Sequence, residues 1–312
     1  MPVATVMDGK ALAAEIKSSV KKDVDKLRAE GVNVGLAIML VGDNPASRSY
    51  YSAILKAGEK VGIRTYEHVF SEDASVNEVL NAVNAINNDE RVSGLLVLFP
   101  LPSKINSRRV VNKISPDKDI DGLGAMSVGR LAAEESLYQI FSKQPGVDEC
   151  GLLATGSFIP CTPFGVIRLL EHHNIDIEGK HAVVIGKSLA VGKPLSMMLL
   201  AKEATVTVCH KATSDLAFHT KQADIICTAT GVKGLIKGDM IKEGSVIVDI
   251  GINVGKDGSI SGDVDHDSVA EKAGFITPVP GGVGPVTIAM LLENTVRSAY
   301  SSTILSSPYQ IE

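Results

Sequence analysis

The alternation of short apolar, β-branched runs with longer helical patterns is the feature that most restricts how this chain can fold. In the first half of the sequence, three runs have the length and composition of strands, and two segments between them have helical periodicity. In chain order these segments lie at 34–41, 46–61, 65–70, 76–88 and 94–99. Ser75 and Glu78 have capping-box spacing, which marks the start of the second helix. Strands that alternate with helices form parallel sheets, so the pattern predicts an α/β fold.

A second series of elements follows a stretch in which the periodicity fades. Helices are predicted at 163–172, 194–202 and 286–300, and strands at 182–185, 205–209, 224–228 and 246–250. The 312 residues also exceed the ~250–300 at which single cores stop growing, so we expect two α/β domains, the second of Rossmann type. The last helix is expected to pack back on the first domain. The predicted bounds are 1–130 with 286–303 for the first domain, 131–159 for an extended connection, 160–285 for the second domain and 304–312 for a C-terminal tail.

The composition argues against several classes of protein. Hydrophobic residues make up 45% and charged residues 21% of the chain, as in packed globular proteins and unlike disordered or collagen-like chains. The 31 Lys and Arg against 36 Asp and Glu give a formal charge of −5 without a basic cluster, so no nucleic-acid partner is predicted. The longest apolar stretches, such as 94–102 and 245–252, are shorter than the ~18–20 residues that span a bilayer, so no membrane partner is predicted.

Two features of the sequence bear on the compartment. Asp8, Lys10 and Glu15 interrupt the N-terminal segment where a signal peptide needs an apolar run. The four cysteines have neither C-x-x-C spacing nor a disulfide-dense pattern, which fits thiols in a reducing compartment. We therefore predict a cytoplasmic location, with an organelle matrix as the alternative, and no metal site.

The clearest candidate for a phosphate-binding turn lies between the strand ending at Ile185 and the helix beginning at Pro194. The turn has the pattern G-x-S-x-x-x-G-x-P and reads Gly186-Lys187-Ser188-Leu189-Ala190-Val191-Gly192-Lys193-Pro194. Its glycines let a ligand approach the backbone, and a helix N-terminus offers N–H groups to a pyrophosphate. Taken alone, the turn is equally compatible with a connection that binds nothing.

Cationic residues after two successive strands favour NADP over NAD. An NAD site commonly has Asp or Glu about 20 residues after the first glycine, where the carboxylate binds the ribose. Here the strand 205–209 is followed by His210 and Lys211 without a carboxylate, and Lys187 lies in the preceding turn. Two lysines suit the additional phosphate of NADP through charge-assisted hydrogen bonds. The alternative is that both lysines only solvate the surface of a loop.

Two polar segments, 118–122 and 277–287, are candidates for the lining of a cleft. Asp121 follows apolar residues and is able to accept hydrogen bonds from a ring edge that is rich in N–H groups. An Asp before a Gly is more commonly used to shape a turn or to cap a helix. The residues alone therefore leave the turn as the simpler role for Asp121.

Nine ordered segments carry a resemblance to a known family. They are VGDNPAS-x-x-Y (41–50), KAGEKVGI (56–63), FPLP (99–102), PDKDIDG (116–122), VGRL (128–131), PCTPFG (160–165), VVIGKSLAVGKPLS (183–196), VDIGIN (248–253) and TPVPGGVGPVT (277–287). With this set the chain resembles the methylenetetrahydrofolate dehydrogenase/cyclohydrolase family over nearly its whole length, from Asp8 to about Ser298. Each segment alone is weak, whereas the ordered set is specific.

The resemblance implies an architecture and an activity. It implies a folate-binding N-terminal domain, a C-terminal Rossmann domain for a nicotinamide cofactor, and a homodimer. Members of the family oxidise 5,10-methylenetetrahydrofolate to 5,10-methenyltetrahydrofolate by hydride transfer to NAD(P), and many then hydrolyse the product to formyltetrahydrofolate. The first step depends mainly on the alignment of two rings. For this chain the resemblance implies NADP as the cofactor and tetrahydrofolate derivatives as the substrates.

The resemblance also implies roles for individual residues. Tyr50 would stack on or hydrogen-bond near the folate ring, and Asp121 would hold the edge of the pterin. The substrate-binding wall beside the nicotinamide would include Pro278, Gly281, Gly282 and Pro285. The cofactor-binding residues would be Gly186, Lys187, Ser188, Gly192, Pro194, His210, Lys211, Thr230, Gly231 and Ile252.

Two positions that the resemblance places at the catalytic centre depart from the family pattern. The family has Y-x-x-x-K-x-K where this chain has Ile54 in place of the first lysine, and it has Gln where this chain has Leu98. Lys56 matches the second lysine, and at ~100° per residue it points away from the face shared by Tyr50 and Ile54. The missing pair is associated in the family with water activation and proton transfer. We therefore expect an NADP-dependent dehydrogenase whose cyclohydrolase activity is lost, strongly reduced or rebuilt with other groups.

Two alternative functions remain open from the sequence. The apolar replacements in the pterin site would also suit a related carrier of tetrahydromethanopterin type. The same replacements are compatible with a folate- or dinucleotide-binding protein that has lost catalysis. The intact cofactor turn and the segment 277–287 make this second alternative the weaker one.

Overall fold

A computed structural model describes residues 4–133, 158–255 and 257–306 of the chain. The described residues form two compact units. We call 15–133 with 158–161 and 288–306 the three-stranded unit, and 4–14 with 162–287 the six-stranded unit. Most of the predicted connection 131–159, and 307–312 of the predicted tail, lie outside the described residues.

The three-stranded unit is built on a parallel sheet whose central strand is buried on both faces. Its strands are β2 (Gly35–Val41), β3 (Arg64–Phe70) and β4 (Gly94–Val97), in the order β3-β2-β4. All seven residues of β2 are buried, which explains why its sequence is a continuous apolar run. On one face, Met39 and Val41 pack in a cluster with Val79 and Val83.

Three of the helices of this unit begin after a residue whose side chain caps the first amides. They are α1 (Gly9–Ala29), α2 (Pro45–Val61), α3 (Val76–Asn87), α4 (Ser107–Val111) and α5 (Ala125–Ala133). The helix α1 also contributes its first residues, 9–14, to the six-stranded unit. The predicted capping box of α3 is confirmed, because the Glu78 amide donates to Ser75 Oγ and the Ser75 amide donates to the Glu78 carboxylate. The helix α2 begins one residue before its predicted start, since Asn44 caps it and proline is well suited to its first position.

The six-stranded unit contains a parallel sheet of Rossmann type. Its strands are β1 (Thr5–Val6), β5 (His181–Ile185), β6 (Thr205–Cys209), β7 (Ile225–Thr228), β8 (Val246–Asp249) and β11 (Phe275–Ile276). They are arranged in the order β1-β11-β8-β7-β5-β6. An antiparallel hairpin is formed by β9 (Asn253–Val254) and β10 (Ile260–Ser261). The predicted strands at 182–185, 205–209, 224–228 and 246–250 are confirmed to within one residue.

One of the remaining helices directly follows the predicted phosphate-binding turn that begins at Gly186. They are α6 (Cys161–His172), α7 (Gly192–Leu200), α8 (Leu216–Thr220), α9 (His266–Ala270) and α10 (Val283–Ser306), with a short 3-10 helix at Gly238–Met240. The helix α10 begins three residues before its predicted start, and Pro285 is tolerated because it lies in the first turn. None of the described helices is long and apolar enough to cross a membrane.

The N-terminal boundary of the predicted domains differs from the structure. The prediction placed 1–130 in the first domain, whereas residues 4–14 belong to the six-stranded unit. The reason is that β1 pairs in parallel with β11, with Thr5 opposite Phe275 and Val6 opposite Ile276. Strands of two residues carry no periodicity, and the sequence therefore gave no sign of this pairing.

The last helix is held to the three-stranded unit by side-chain hydrogen bonds, as predicted. Ser298 Oγ donates to the backbone oxygens of Ser93 and Asp117. Asn294 is buried, and its Nδ2 donates to the oxygens of Ile120 at 2.8 Å and Ile159 at 3.2 Å. These carbonyls flank the segment around Asp121, so the helix supports the backbone of that segment.

Removing the Asn294 amide should therefore destabilise the protein. Asn294→Ala leaves two buried carbonyl groups without this donor, for which we expect a loss of about 1–3 kcal/mol in the free energy of unfolding. Urea denaturation followed by circular dichroism measures the change. The matched control is Asn84→Ala on the exposed face of α3, where a change within about 0.5 kcal/mol is expected. Equal effects of the two substitutions would contradict the role of Asn294.

Candidate active site

The helix α2 presents Tyr50 and Ile54 one turn apart on the same face. Tyr50 is half-buried, and burial, followed by the negative charge of Asp121, raises the pKa of its phenol. Ile54 is fully buried, whereas Lys56 is exposed. The expectation that Lys56 does not point to the position of Ile54 is therefore confirmed. An aliphatic side chain occupies the buried position one turn after Tyr50.

Leu98 follows the end of β4 and is buried as well. Its amide donates to the Met39 oxygen at 2.9 Å, which extends the ladder between β4 and β2 by one bond. Its side chain is 3% exposed and carries no group that exchanges protons or hydrogen-bonds water. The two positions predicted to lack catalytic groups, Ile54 and Leu98, therefore both belong to the apolar interior of the three-stranded unit.

Asp121 lies in an environment that moves its titration to neutral pH. Burial, followed by the charge of Asp119, raises its pKa to about 7, while hydrogen bonds from the Cys161 thiol and amide act in the opposite direction. The next residue, Gly122, has φ of 64°, and a Cβ there would lie 2.6 Å from the Phe158 oxygen. The turn after Asp121 therefore requires glycine. Both carboxylate and carboxylic acid forms of Asp121 are present near neutrality.

Asp119 and Cys161 were not predicted as site residues, and both contribute to the setting of Asp121. Asp119 is buried and accepts hydrogen bonds from the Leu123 amide, the Gly124 amide and Ser127 Oγ. Burial nevertheless raises its pKa to about 6. Burial, followed by the charge of Asp121, raises the pKa of the Cys161 thiol, which keeps the thiol protonated as a donor. The only sequence signal for this pair was its presence in the segments PDKDIDG and PCTPFG.

The structure brings the predicted cofactor turn close to the backbone of its neighbours. A Cβ at Gly192 would lie 2.0 Å from the Gly186 oxygen, and a Cβ at Gly186 would lie 2.5 Å from the Ala229 oxygen. Both positions therefore require glycine. Ser188 Oγ accepts from the amides of Val191 and Gly192 at 3.1 and 3.3 Å. The serine thus accepts from the first amide of α7, and its hydroxyl proton can still be donated to a ligand.

Lys187 and Lys211 follow β5 and β6, and these two strands are paired up to their carboxyl ends. Ile185 of β5 is opposite Cys209 of β6, and the Gly186 amide donates to the Cys209 oxygen at 2.8 Å. Lys187 and Lys211 are exposed at the carboxyl ends of these two strands. The Ala212 amide donates to His210 Nδ1 at 3.2 Å, so the tautomer with the proton on Nε2 fits this contact. The two turns are therefore adjacent, as a binding site for a phosphorylated ribose requires.

The other predicted residues of the six-stranded unit lie in three separate loops. Thr230 and Gly231 follow β7, where Thr230 donates to Asp263, and Ile252 follows β8 with 57% of its surface exposed. Gly281 O accepts from the Gly9 amide at 3.0 Å. The remaining members of the predicted wall surround this contact: the Gly282 amide donates to the Pro278 oxygen, and Pro285 lies in the first turn of α10.

Comparison with known proteins agrees with both units. The model for the tetrahydrofolate dehydrogenase/cyclohydrolase catalytic domain matches residues 7–121, and the model for the corresponding NAD(P)-binding domain matches residues 160–303. The bifunctional protein FolD of Moorella thermoacetica is 47% identical over 296 residues, which cover 95% of this chain and 99% of that protein.

The chain belongs to the tetrahydrofolate dehydrogenase/cyclohydrolase family.

Two solved structures of the tetrahydrofolate dehydrogenase/cyclohydrolase family resemble the whole chain. The Campylobacter jejuni bifunctional enzyme FolD is 45% identical with a TM-score of 0.85, and the match covers 96% of this chain and 99% of that one. The Trypanosoma brucei methylenetetrahydrofolate dehydrogenase-cyclohydrolase, solved with NADP and an inhibitor, is 33% identical with a TM-score of 0.87 and coverages of 97% and 99%. The family resemblance and the two-domain α/β class predicted from the sequence are therefore confirmed.

Asp121 should give the stability of this family member a distinctive pH dependence. Burial raises its pKa from 3.8 to about 7, so the folded protein retains a proton at a pH where the unfolded chain has released it. Stability that derives from this proton is present at low pH and is lost as the pH rises through the folded pKa. The free energy of unfolding of the wild type, relative to Asp121→Asn, is therefore expected to decrease between about pH 4 and pH 8.

Urea denaturation at several pH values measures this difference. The exposed Asp239 provides the matched control, and Asp239→Asn should leave the pH dependence of stability as in the wild type. A difference between wild type and Asp121→Asn that stays constant over this pH range would contradict the raised pKa of Asp121.

Proposed function

We propose that this protein catalyses the NADP-dependent oxidation of 5,10-methylenetetrahydrofolate to 5,10-methenyltetrahydrofolate. The observation that carries the proposal is that the chain retains both parts of the required apparatus. One part is the half-buried pair Tyr50 and Asp121 in the three-stranded unit, and the other is the turn from Gly186 to Gly192 in the six-stranded unit. Solved relatives named for this reaction match the chain over nearly its full length.

The residues of the six-stranded unit fit the requirements of NADP. The close backbone approach at Gly186 and Gly192 leaves room for phosphates beside the first amides of α7. Lys187 and Lys211 supply positive charge for the 2′-phosphate, which NAD lacks. When bound, NADP accepts the hydride from the one-carbon bridge of the substrate.

The residues of the three-stranded unit would orient the folate. The raised pKa of Tyr50 keeps its phenol protonated, so the hydroxyl is a hydrogen-bond donor throughout the neutral range. Asp121, with a pKa of about 7, can accept from ring N–H groups as a carboxylate. Hydride transfer moves no proton to or from the protein, so alignment by these two side chains meets the main requirement of this step.

Hydrolysis of the methenyl bridge makes a different demand, because water must be activated and a proton must move. Ile54 and Leu98 are buried and cannot take part in either process. Positioned acid–base catalysis is typically worth ~10²–10⁴-fold. We therefore propose that the dehydrogenase activity of this chain is retained while its cyclohydrolase activity is strongly reduced.

The two alternative functions find less support. Among the relatives, the first matches are bifunctional FolD proteins at 45–47% identity, and solved structures that match include dehydrogenases of methylenetetrahydrofolate. This similarity favours tetrahydrofolate over a methanopterin carrier. The retained cofactor turn favours an active enzyme over an inert binding protein.

Restoring the missing side chains should raise the hydrolytic activity. We expect the double variant Ile54→Lys with Leu98→Gln to hydrolyse methenyltetrahydrofolate about 10²-fold faster than the wild type or more, because it regains groups that can exchange protons with water. The loss of methenyl absorbance measures this rate. Reduction of NADP with methylenetetrahydrofolate as the donor is measured in parallel, with NAD for comparison.

The matched control places the same charge on the same helix but on its exposed side. Ala53 is exposed, and Ala53→Lys should leave both rates close to those of the wild type. Wild-type hydrolysis as fast as wild-type dehydrogenation would contradict the proposed loss of cyclohydrolase activity. The absence of NADP reduction when the donor is in excess would contradict the proposed dehydrogenase.

We also propose that the protein is a homodimer that forms through the edge of the three-stranded sheet. The strand β3 lies at this edge, and all seven of its residues are partly or fully exposed, with Val69 at 50%. An edge strand with an exposed apolar side chain is suited to pairing with another copy.

Light scattering after size exclusion should give the mass of two chains. Val69→Asp should shift it towards one chain, whereas Val232→Asp, at a position 51% exposed in the other unit, should not.

A wild-type mass of one chain would contradict the proposed dimer. A cytoplasmic location, without nucleic-acid or membrane partners, remains a prediction from the sequence, which fractionation of the source cells would test.

A further inference from the structure

A fully buried carboxylate, Asp263, lies among the loops that follow β7 and β8. Its Oδ2 accepts hydrogen bonds from Thr228 Oγ1 at 3.1 Å, the Thr230 amide at 2.6 Å, Thr230 Oγ1 at 2.9 Å and the Gly231 amide at 3.3 Å. Its Oδ1 accepts from Asn253 Nδ2 at 3.1 Å. All five hydrogen-bond donors are neutral groups: four lie at the end of β7 and in the loop after it, and the fifth lies in β9.

A second buried carboxylate, Asp249 at the end of β8, fixes the segment that carries Asp263. Its Oδ1 accepts from the amides of Gly251 and Asp263 at 2.9 and 3.0 Å, and its Oδ2 accepts from the Val264 amide at 2.9 Å. The Asp249 amide in turn donates to Thr277 Oγ1 at 2.7 Å, at the start of the segment 277–287. The two aspartates thus connect three loops of the six-stranded unit.

The two carboxylates pack against glycines in a reciprocal arrangement. A Cβ at Gly251, two residues after Asp249, would lie 2.1 Å from Asp263 Oδ1. A Cβ at Gly262, beside Asp263, would lie 1.8 Å from Asp249 Oδ2. Each glycine therefore lets the opposite carboxylate reach backbone amides that a side chain would cover. The packing leaves little freedom for the loops to move past one another.

The order of strands indicates which part of the cofactor these loops would meet. The glycine turn follows β5, and Lys211 follows β6, whereas β7 and β8 lie on the opposite side of β5. In an open parallel sheet a dinucleotide crosses the carboxyl ends of the strands at the point where the strand order reverses. If the adenosine ribose with its 2′-phosphate lies at β6, then the nicotinamide half lies toward the loops after β7 and β8.

We propose that Asp263 is a positioning residue that holds Thr230, Gly231 and Ile252 in the arrangement that receives the nicotinamide half of NADP. The inference rests on the proposed function, because it takes NADP to be the cofactor of this chain. The carboxylate acts through its hydrogen bonds to the two loops and does not itself contact the cofactor. Rotation of the Thr230 loop would take three of the five hydrogen-bond donors away from the buried Asp263 carboxylate, which opposes any other loop conformation.

The central test replaces the carboxylate by an amide of the same size. In Asp263→Asn, an NH₂ group replaces one of the two carboxylate oxygens. Because both oxygens accept hydrogen bonds from the protein, the NH₂ group then faces another donor and the hydrogen bonds on that side are lost. We expect the Kd for NADPH to rise about 10-fold or more. The Kd for 2′,5′-ADP, which contains only the adenosine half, should stay within about 2-fold of the wild type. In turnover, the KM for NADP should rise more than kcat falls.

A milder variant and a matched control complete the design. Thr228→Val removes a single hydroxyl donor to Asp263 while keeping the volume of the side chain, and it should raise the Kd for NADPH about 2-fold to 5-fold. Asp257 is exposed in the neighbouring hairpin loop, and Asp257→Asn should leave both dissociation constants unchanged. If Asp263→Asn does not fold, Thr228→Val alone decides the question.

Each outcome has a definite meaning. A selective weakening of NADPH binding in Asp263→Asn, or in Thr228→Val, supports the proposal. Equal weakening of NADPH and 2′,5′-ADP overturns it, because that result shows a general loss of structure in the unit. Unchanged binding of NADPH overturns it as well. A wild-type protein that binds 2′,5′-ADP and NADPH only negligibly would overturn the proposed function together with this inference, whereas the other contrary outcomes leave the proposed function intact.

Discussion

Buried carboxylates that are surrounded by neutral hydrogen-bond donors determine the shape of the loops in both units. Asp119 in one unit and Asp263 in the other are held by backbone amides and hydroxyl groups. A buried charge without partners is very unfavourable, so the chain must turn around each carboxylate to bring its amides into reach. The loop shaped by Asp263 follows the carboxyl end of β7, where ligands bind to open parallel sheets. The geometry of these two loops therefore follows from the hydrogen bonds that the two aspartates require.

The neighbouring carboxylates Asp119 and Asp121 show how the number of donors sets the role of each. Asp119 accepts three hydrogen bonds from its own loop and has a pKa of about 6. Burial, followed by the charge of Asp119, raises the pKa of Asp121 to about 7, and hydrogen bonding with Cys161 only partly offsets this. The first carboxylate is used to shape the turn. The second keeps hydrogen-bonding capacity, and the proposed function assigns this capacity to the folate ring.

Local patterns in the sequence carried the prediction of most elements, since buried parallel strands are short continuous apolar runs and their helices have clear caps. The orientation of Lys56 away from Ile54 also followed from helix geometry alone. Contacts between distant parts of the chain could not be predicted in this way. The pairing of β1 with β11 joins residues 5 and 275, and the contact of Asp121 with Cys161 spans the segment outside the described residues. The network of Asp263 likewise joins loops whose sequences contain no periodic or motif signal for one another.

Isoleucine at position 54 favours stability over reactivity, compared with the lysine of the family pattern. A lysine in this fully buried position would lose hydration, which lowers its pKa and makes it useful for proton transfer, but it would also weaken the fold. Isoleucine at the same position instead contributes about 1.5–3 kcal/mol through burial of its side chain. Stability and catalytic function commonly oppose each other at such sites. Because hydride transfer needs alignment and not a proton carrier, the proposed dehydrogenase reaction can persist with isoleucine at this position, whereas the proposed reduction of hydrolysis follows from the missing proton carrier.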